Sequence, residues 1–555
     1  MSDPAAPANA AVADARSSIG ELLAMIVAED GRSRTVWAIE LSLVAAASVL
    51  VLHSVDQGLG AEAGAGPPSG AVLGFGLALL LNWVLHGGLS RRVLDALGAA
   101  TSRTTERILG SIGRLDLERF ESVGGAEVIV RITEDGARVV PGGTIITQAL
   151  VAAATVVLSM LYVATISIQA AFAASVAMLG TAVLVASINH SVRAQIARDQ
   201  AALRRMQEPI ADLLAGFKQL KQHEARSAAV ADAFEREASA LKRSRDAHHL
   251  EFFARDTFSR QLYFCLLGVV GFGLPLLVPE AASDVSRLMV AVTFIFRPVL
   301  MLLMAAPMLT RLGATWGRMT DFAERIDAMA ADEAEAAPQQ PPFTRLTLRD
   351  VTYQYAPQGA RAGFAVGPCD LELRPGEIIF VTGANGSGKS TFVKLLCGLY
   401  QRHAGQMLVD GEALPAEPGP AWRGRFAAVF AEFALFERLY GQEDVEPARV
   451  TELLEQMEIG HKVRFEHGRF TTLDLSTGQR KRLALVIALL EERPIYVFDE
   501  WAADQDPHFR EAFYRRILPS LKARGKTVVA VTHDDDAFDA CDRRIHFDRG
   551  RMEPA

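Results

Sequence analysis

Cysteine is scarce in this 555-residue chain, with Cys265, Cys369, Cys397 and Cys541 the four present. They lie far apart and form no CxxC pair, which excludes a disulfide-built secreted domain and gives no zinc or redox motif. Four reduced, small, buried side chains are expected. Positive charge is not in excess either: 57 Lys and Arg against 65 Asp and Glu leave a formal net charge of -8, so composition points to no nucleic-acid partner. Gly and Pro are at ordinary usage, which excludes collagen-like repeats, and an apolar fraction of 50% excludes wholesale disorder. Residues 1–29 are Ala-rich, polar and acidic, without the basic start, apolar run and small-residue cleavage site of a secretory signal. This segment is expected to stay in the cytoplasm, with 19–27 forming a short amphipathic helix on the membrane.

What the chain does have is length and long apolar runs. Its 555 residues leave room for about three or four ordinary domains. Six stretches, near 36–55, 70–90, 144–167, 170–190, 261–279 and 288–309, can each cross about 30 Å of hydrocarbon as a helix. The segment 91–143 carries eight arginines and 191–260 carries thirteen Lys and Arg, whereas 56–69, 168–169 and 280–287 hold Arg287 alone, beside Asp56, Glu62, Glu280 and Asp284. Cytoplasmic loops retain positive charge, so both chain ends are expected in the cytoplasm. Apolar residues in the two basic connections recur at helical spacing, which predicts membrane helices continuing into the cytoplasm. Between Met329 and Phe343 the composition turns acidic and Ala-rich, then reads Pro-Gln-Gln-Pro-Pro, through which no helix continues. The expected division is an N-terminal extension (1–30), a six-helix transmembrane domain (31–325), a linker (326–343) and a nucleotide-binding domain (344–555).

Charges inside a membrane span are costly and face a cavity or a partner. Arg297, near the middle of the sixth span, is a candidate for lining a substrate cavity; the alternatives are an ion pair with Glu40 of the first span or a carbonyl freed by Pro298. Glu40 is a second cavity candidate, or it snorkels to the nearby cytoplasmic end of its span. His53 and the Met301, Met304, Met308 stripe read as packing.

From Arg345 onward strands, Gly turns and helices alternate in the rhythm of an α/β domain. Gly383-Ala384-Asn385-Gly386-Ser387-Gly388-Lys389-Ser390-Thr391 follows the apolar strand 378–382 and precedes a helix, the context a P-loop requires. Its glycines let successive N–H groups cradle phosphate, Lys389 supplies a point charge for the β- and γ-phosphates, and Ser390 a hydroxyl for Mg²⁺. The strand 495–499 delivers Asp499 at its C-terminal end to hold Mg²⁺, and Glu500 follows as a base that can polarise the attacking water.

Between these motifs, Leu475-Ser476-Thr477-Gly478-Gln479-Arg480-Lys481-Arg482 resembles the signature sequence of ATP-binding cassette proteins, with Thr477 where a glycine is commonest. The resemblance implies that Ser476, Gly478 and Gln479 belong to the nucleotide site, with Ser476 and Gly478 facing the γ-phosphate held by a second copy's P-loop. It also implies that Tyr355 stacks on adenine and that His533 is the switch histidine touching the γ-phosphate. The stretch 499–507, Asp-Glu-Trp-Ala-Ala-Asp-Gln-Asp-Pro, is similar to that of the cyclic-peptide and siderophore exporters. In those proteins six membrane helices and one cassette share a chain. The implied protein is a homodimeric, ATP- and Mg²⁺-dependent exporter of the bacterial inner membrane, carrying a peptide-like or siderophore-like substrate among membrane lipid. The implied fold class is an all-α membrane exporter domain joined to an α/β P-loop NTPase domain. A lipid or lipid-linked flippase and a non-transporting ATP-switched regulator are the alternatives. One departure stands out: Ala431-Glu432 occupies the place of a metal-touching glutamine, so Glu432 or water is expected to substitute. Exporter architecture also implies coupling segments near 131–135 and 216–223.

Overall fold

The computed structural model describes residues 20–59, 68–169, 171–172, 175–176, 205–206, 209–273, 276, 285–330, 343–356, 363–415 and 418–554. Two compact units divide the chain, one of residues 1–110 and 126–328, the other of 111–125 and 329–555.

The first unit is helical. Its long elements are α1 (Arg34–Leu59), α2 (Ser69–Ile112), α4 (Gly136–Ile166), α5 (Glu224–Gly268) and α6 (Val285–Met329); α3 (Leu117–Val123) belongs to the other unit. Four stretches, 34–58, 69–112, 125–166 and 285–329, are long and apolar enough to cross a membrane. The expected spans 170–190 and 261–279 lie largely or partly outside the described residues. Leu73 and Trp83 on α2 are each 74% exposed, an apolar surface that only hydrocarbon or another apolar protein surface covers without cost. The basic connection after the second span is helical as far as Ile112, an uninterrupted continuation of α2. A short helix over 20–29 buries Leu22 and Ile26. Cys369 and Cys397 are buried, but Cys265 on α5 is exposed, which corrects the expectation of four buried thiols.

Two ion-pair groups mark opposite ends of α1. Toward its start, Glu40 accepts from Arg32 at 2.7 Å and pairs with Arg92 of α2. Toward its end, buried Asp56 accepts from Arg287 of α6 at 2.7 Å on each oxygen and from the Tyr162 hydroxyl of α4 at 2.6 Å. A buried carboxylate needs such partners, and Leu52, Val163, Leu288 and Ile295 pack around this end. His53 bonds Tyr162 and Gln57, whereas Met304 and Met308 are exposed.

The second unit carries β1 (Leu346–Gln354), β2 (Ala365–Leu373), β3 (Ile378–Gly383), α7 (Lys389–Leu396), β4 (Ala404–Val409), β5 (Glu412–Ala413), β6 (Phe426–Val429), α8 (Pro447–Gln456), β7 (Phe465–Glu466), β8 (Arg469–Phe470), α9 (Thr477–Leu490), β9 (Ile495–Asp499), α10 (Pro507–Ala512), α11 (Leu518–Ala523), β10 (Thr527–Val531), β11 (Arg543–Asp548) and β12 (Arg551–Pro554). The larger sheet runs β12-β11-β3-β10-β9-β6, parallel except for β12, and the smaller is antiparallel, β2-β1-β4-β5. Every residue of β3, β9 and β10 is buried, as expected for parallel strands covered on both faces. The C-terminal ends of β3, β9 and β10 therefore bring the P-loop, Asp499-Glu500 and His533 to one edge, where open α/β sheets bind ligands.

Segment 111–125 packs on this second unit. Asp116 caps α3 through the Arg119 N–H at 2.7 Å, Gly124 at φ 79° ends it, and Leu117 rests on the core under β1 and α7. Glu121 accepts from Lys394 at 3.1 Å and from the buried Tyr400 hydroxyl at 2.8 Å. The segment near 131–135 expected to couple the halves is a π-helical turn of the first unit, whereas 117–123, bounded by the Asp116 cap and Gly124, belongs to the second. The other expected segment holds a short exposed helix, Phe217–Lys221, also in the first unit.

Candidate ATP site

A cavity of about 390 Å³ is lined by Phe364, Asn385, Gly386, Gly388, Lys389, Ser390, Thr391 and Glu500. The loop between β3 and α7 can take this shape only with glycine at its tight points. Gly383 lies at φ 140°, where a Cβ would stand 2.3 Å from the Phe547 carbonyl oxygen, and Gly388 lies at φ 107° against Val366. Lys389 is buried, and its Nζ donates to the carbonyls of Gly383 at 2.9 Å and Ala384 at 3.0 Å. Burial pushes its pKa down, partly offset by Glu500 and Asp499. Ser387 Oγ is buried in the loop without a hydrogen-bond partner, as a group awaiting a phosphate oxygen would be.

Ser390 Oγ donates to Asp499 Oδ1 at 3.3 Å, so hydroxyl and carboxylate converge. Burial pushes the Asp499 carboxyl above the usual range, against the lowering effect of that hydrogen bond. Two hard oxygens beside a phosphate cradle suit Mg²⁺, which takes one or two protein ligands plus phosphates. Among the described residues no group of three or more His, Cys, Asp or Glu could hold a metal by itself. Ala431 contributes through its backbone, hydrogen-bonded to Asp499, while Glu432 is exposed and does not line the cavity.

Glu500 is at φ 50°, ψ 37°, a left-handed backbone, with its carboxylate 3.2 Å from His533 Nε2 and 4.0 Å from Lys389 Nζ. Strained residues of this kind gather at functional sites. Ser476 caps α9 in a reciprocal box with Gln479, with Ser476 exposed; neither these two nor Gly478 lines the cavity. Tyr355 packs edge-on against Tyr353 and Tyr400, with its hydroxyl 3.0 Å from Thr391. It too stays out of the cavity lining, and the aromatic that does line it is Phe364, 40% exposed. The family resemblance pointed to Tyr355, and Phe364 was not among the residues singled out in the sequence.

A profile of the ABC transporter family matches residues 366–503. ATP-binding protein SyrD of Pseudomonas syringae pv. syringae is 33% identical over 480 residues, covering 83% of this chain and 82% of that protein. The chain belongs to the ABC transporter family. ATP hydrolysis coupled to transport is the activity of this ABC transporter. An ATP-dependent lipid A-core flippase of Chromobacterium violaceum is 30% identical over 203 residues, 34% of each chain. The structure of a bacterial Atm1-family ABC exporter with ATP bound superposes with a TM-score of 0.67 over 94% of this chain and 95% of that one, at 21% identity. That likeness gives the transporter an exporter fold.

Proposed function

We propose that this ABC exporter works as a homodimer of the bacterial inner membrane, both termini and the cassette in the cytoplasm, and moves a cyclic-peptide-like, peptide or siderophore-like molecule outward. The observation that carries the reading is a match to SyrD that runs through both the membrane and cassette halves, beside a flippase match confined to about a third of each chain. The similarity of 499–507 to cyclic-peptide and siderophore exporters supports the same class.

The chemistry follows from the cavity. The P-loop amides, Ser387 Oγ and Lys389 bind the phosphates, and Phe364 offers its face to the adenine. Ser390 and Asp499 would hold Mg²⁺, which when bound would supply positive charge beside the phosphates. Glu500 takes the proton of the attacking water, and His533, 3.2 Å away, fixes its carboxylate. Ser476 and Gly478, exposed or half-exposed at the start of α9, meet the phosphate held by the second copy, so ATP binds the joined pair more tightly than the separate ones.

The test is untargeted mass spectrometry of medium and cell extract from the native host, comparing the intact gene with Glu500→Gln. A peptide-like mass lost from the medium and accumulated in the cells is the expected result. Unchanged soluble metabolites with a redistributed lipid would replace this reading with the flippase one.

A further inference from the structure

Lys481 lies within α9 and is 4% exposed. A buried ammonium is costly unless it is paired, and this one has two partners. Its Nζ donates to the backbone carbonyl of Glu500 at 2.7 Å and to the carboxylate of Asp504 at 2.7 Å. The contact is reciprocal, because buried Trp501 donates its Nε1–H to the Lys481 carbonyl at 2.8 Å. Gln505 Nε2 donates to the Gly478 carbonyl at 3.1 Å, and a Cβ on Gly478 would stand 2.7 Å from the Asp504 carbonyl oxygen. The loop after Glu500 therefore lies directly on the first turns of α9, pinned through Glu500, Trp501, Asp504 and Gln505.

This arrangement bears on Glu500 itself. Its left-handed backbone is uncommon for a residue with a side chain, and three hydrogen bonds hold it: its N–H donates to the Val531 carbonyl at 3.2 Å, and its carbonyl accepts from Lys481 at 2.7 Å and, more weakly, from the Ala503 N–H at 3.4 Å. Rotating that peptide would swing the carboxylate away from Lys389 and His533.

We propose that Lys481 is a positioning residue: its ammonium, shared between the Glu500 carbonyl and Asp504, aims the Glu500 carboxylate and ties that aim to the signature helix α9. The inference rests on Glu500 being the base. When α9 engages the second copy's nucleotide, the shift reaches Glu500 through this ammonium. Hydrolysis is thereby favoured in the joined state.

The experiment uses the full-length transporter in lipid nanodiscs and measures steady-state ATP turnover for Lys481→Met, Asp504→Asn, the double variant and Glu500→Gln. Lys481→Met is expected to lower kcat at least tenfold with KM for ATP within twofold. Asp504→Asn is expected to lower kcat about threefold, and the double variant to be no slower than Lys481→Met, since both changes cut one link. A general structural defect would instead lower thermal stability and move KM as well. Wild-type kcat in folded Lys481→Met overturns the proposal; should that variant fail to fold, wild-type kcat in half-exposed Asp504→Asn does so. Normal turnover in Glu500→Gln would remove the base assignment instead, so the two failures are distinguishable.

Discussion

In the proposed mechanism Glu500 and Phe364 carry separable parts of the ATP chemistry. Glu500 stands at the end of a fully buried strand, with its carboxylate within reach of both His533 and Lys389. Glu500→Gln preserves the shape but cannot accept a proton. Turnover should fall by about 10²-fold or more, the range general-base catalysis supplies, with equilibrium ATP binding retained; ordinary turnover in that variant would contradict the base role. Phe364 lines the cavity, whereas Tyr355 is engaged with Tyr353, Tyr400 and Thr391. A base stacked on an aromatic ring contributes about 1–3 kcal/mol. Phe364→Ala should therefore raise KM for ATP about tenfold and leave kcat near its original value. If Tyr355→Ala produced that loss and Phe364→Ala did not, adenine would sit on Tyr355.

Among the elements, α3 is short yet held by both apolar and polar contacts: Leu117 rests on the core, and Glu121 joins Lys394 and the Tyr400 hydroxyl. Partly exposed pairs of this kind contribute about 1 kcal/mol or less. Glu121→Ala should speed amide hydrogen exchange in 117–123 about fivefold and leave exchange in β3 unchanged; an unaltered rate in 117–123 would show that Leu117 alone holds the helix. The contrast between α3 and the P-loop shows where sequence reading works. Glycines, Lys389, Ser390, Asp499 and Glu500 are legible because backbone geometry and phosphate chemistry dictate them locally. The bond between Glu121 and Tyr400 joins residues 279 apart, and no local pattern marks it. Lys481 was hidden differently: within Arg480-Lys481-Arg482 it reads as one more solvated cation, and only the register of α9 against 500–505 buries it while leaving Arg480 exposed.

For the whole transporter, ATP can drive movement only through states that bind it with different affinity, and cargo can be selected only by groups left available in the membrane half. Of the two charges singled out in the spans, Glu40 is engaged by Arg32 and Arg92. Arg297 is exposed on α6 and makes no ion pair among the described residues, so the alternative reading, a pair with Glu40, is not formed. An exposed guanidinium in an apolar helix is costly toward hydrocarbon but favourable toward a hydrated cavity or an anionic group. Arg297→Ala should therefore leave basal ATP turnover within twofold and reduce export of an anionic peptide-like substrate at least tenfold, measured together in proteoliposomes. Substrate stimulation of ATP turnover should fall in parallel, because a cargo that binds less well shifts the conformational equilibrium less. Undiminished export with less folded protein would instead assign Arg297 to the architecture of α6, and the selection of anionic cargo would have to reside on another span.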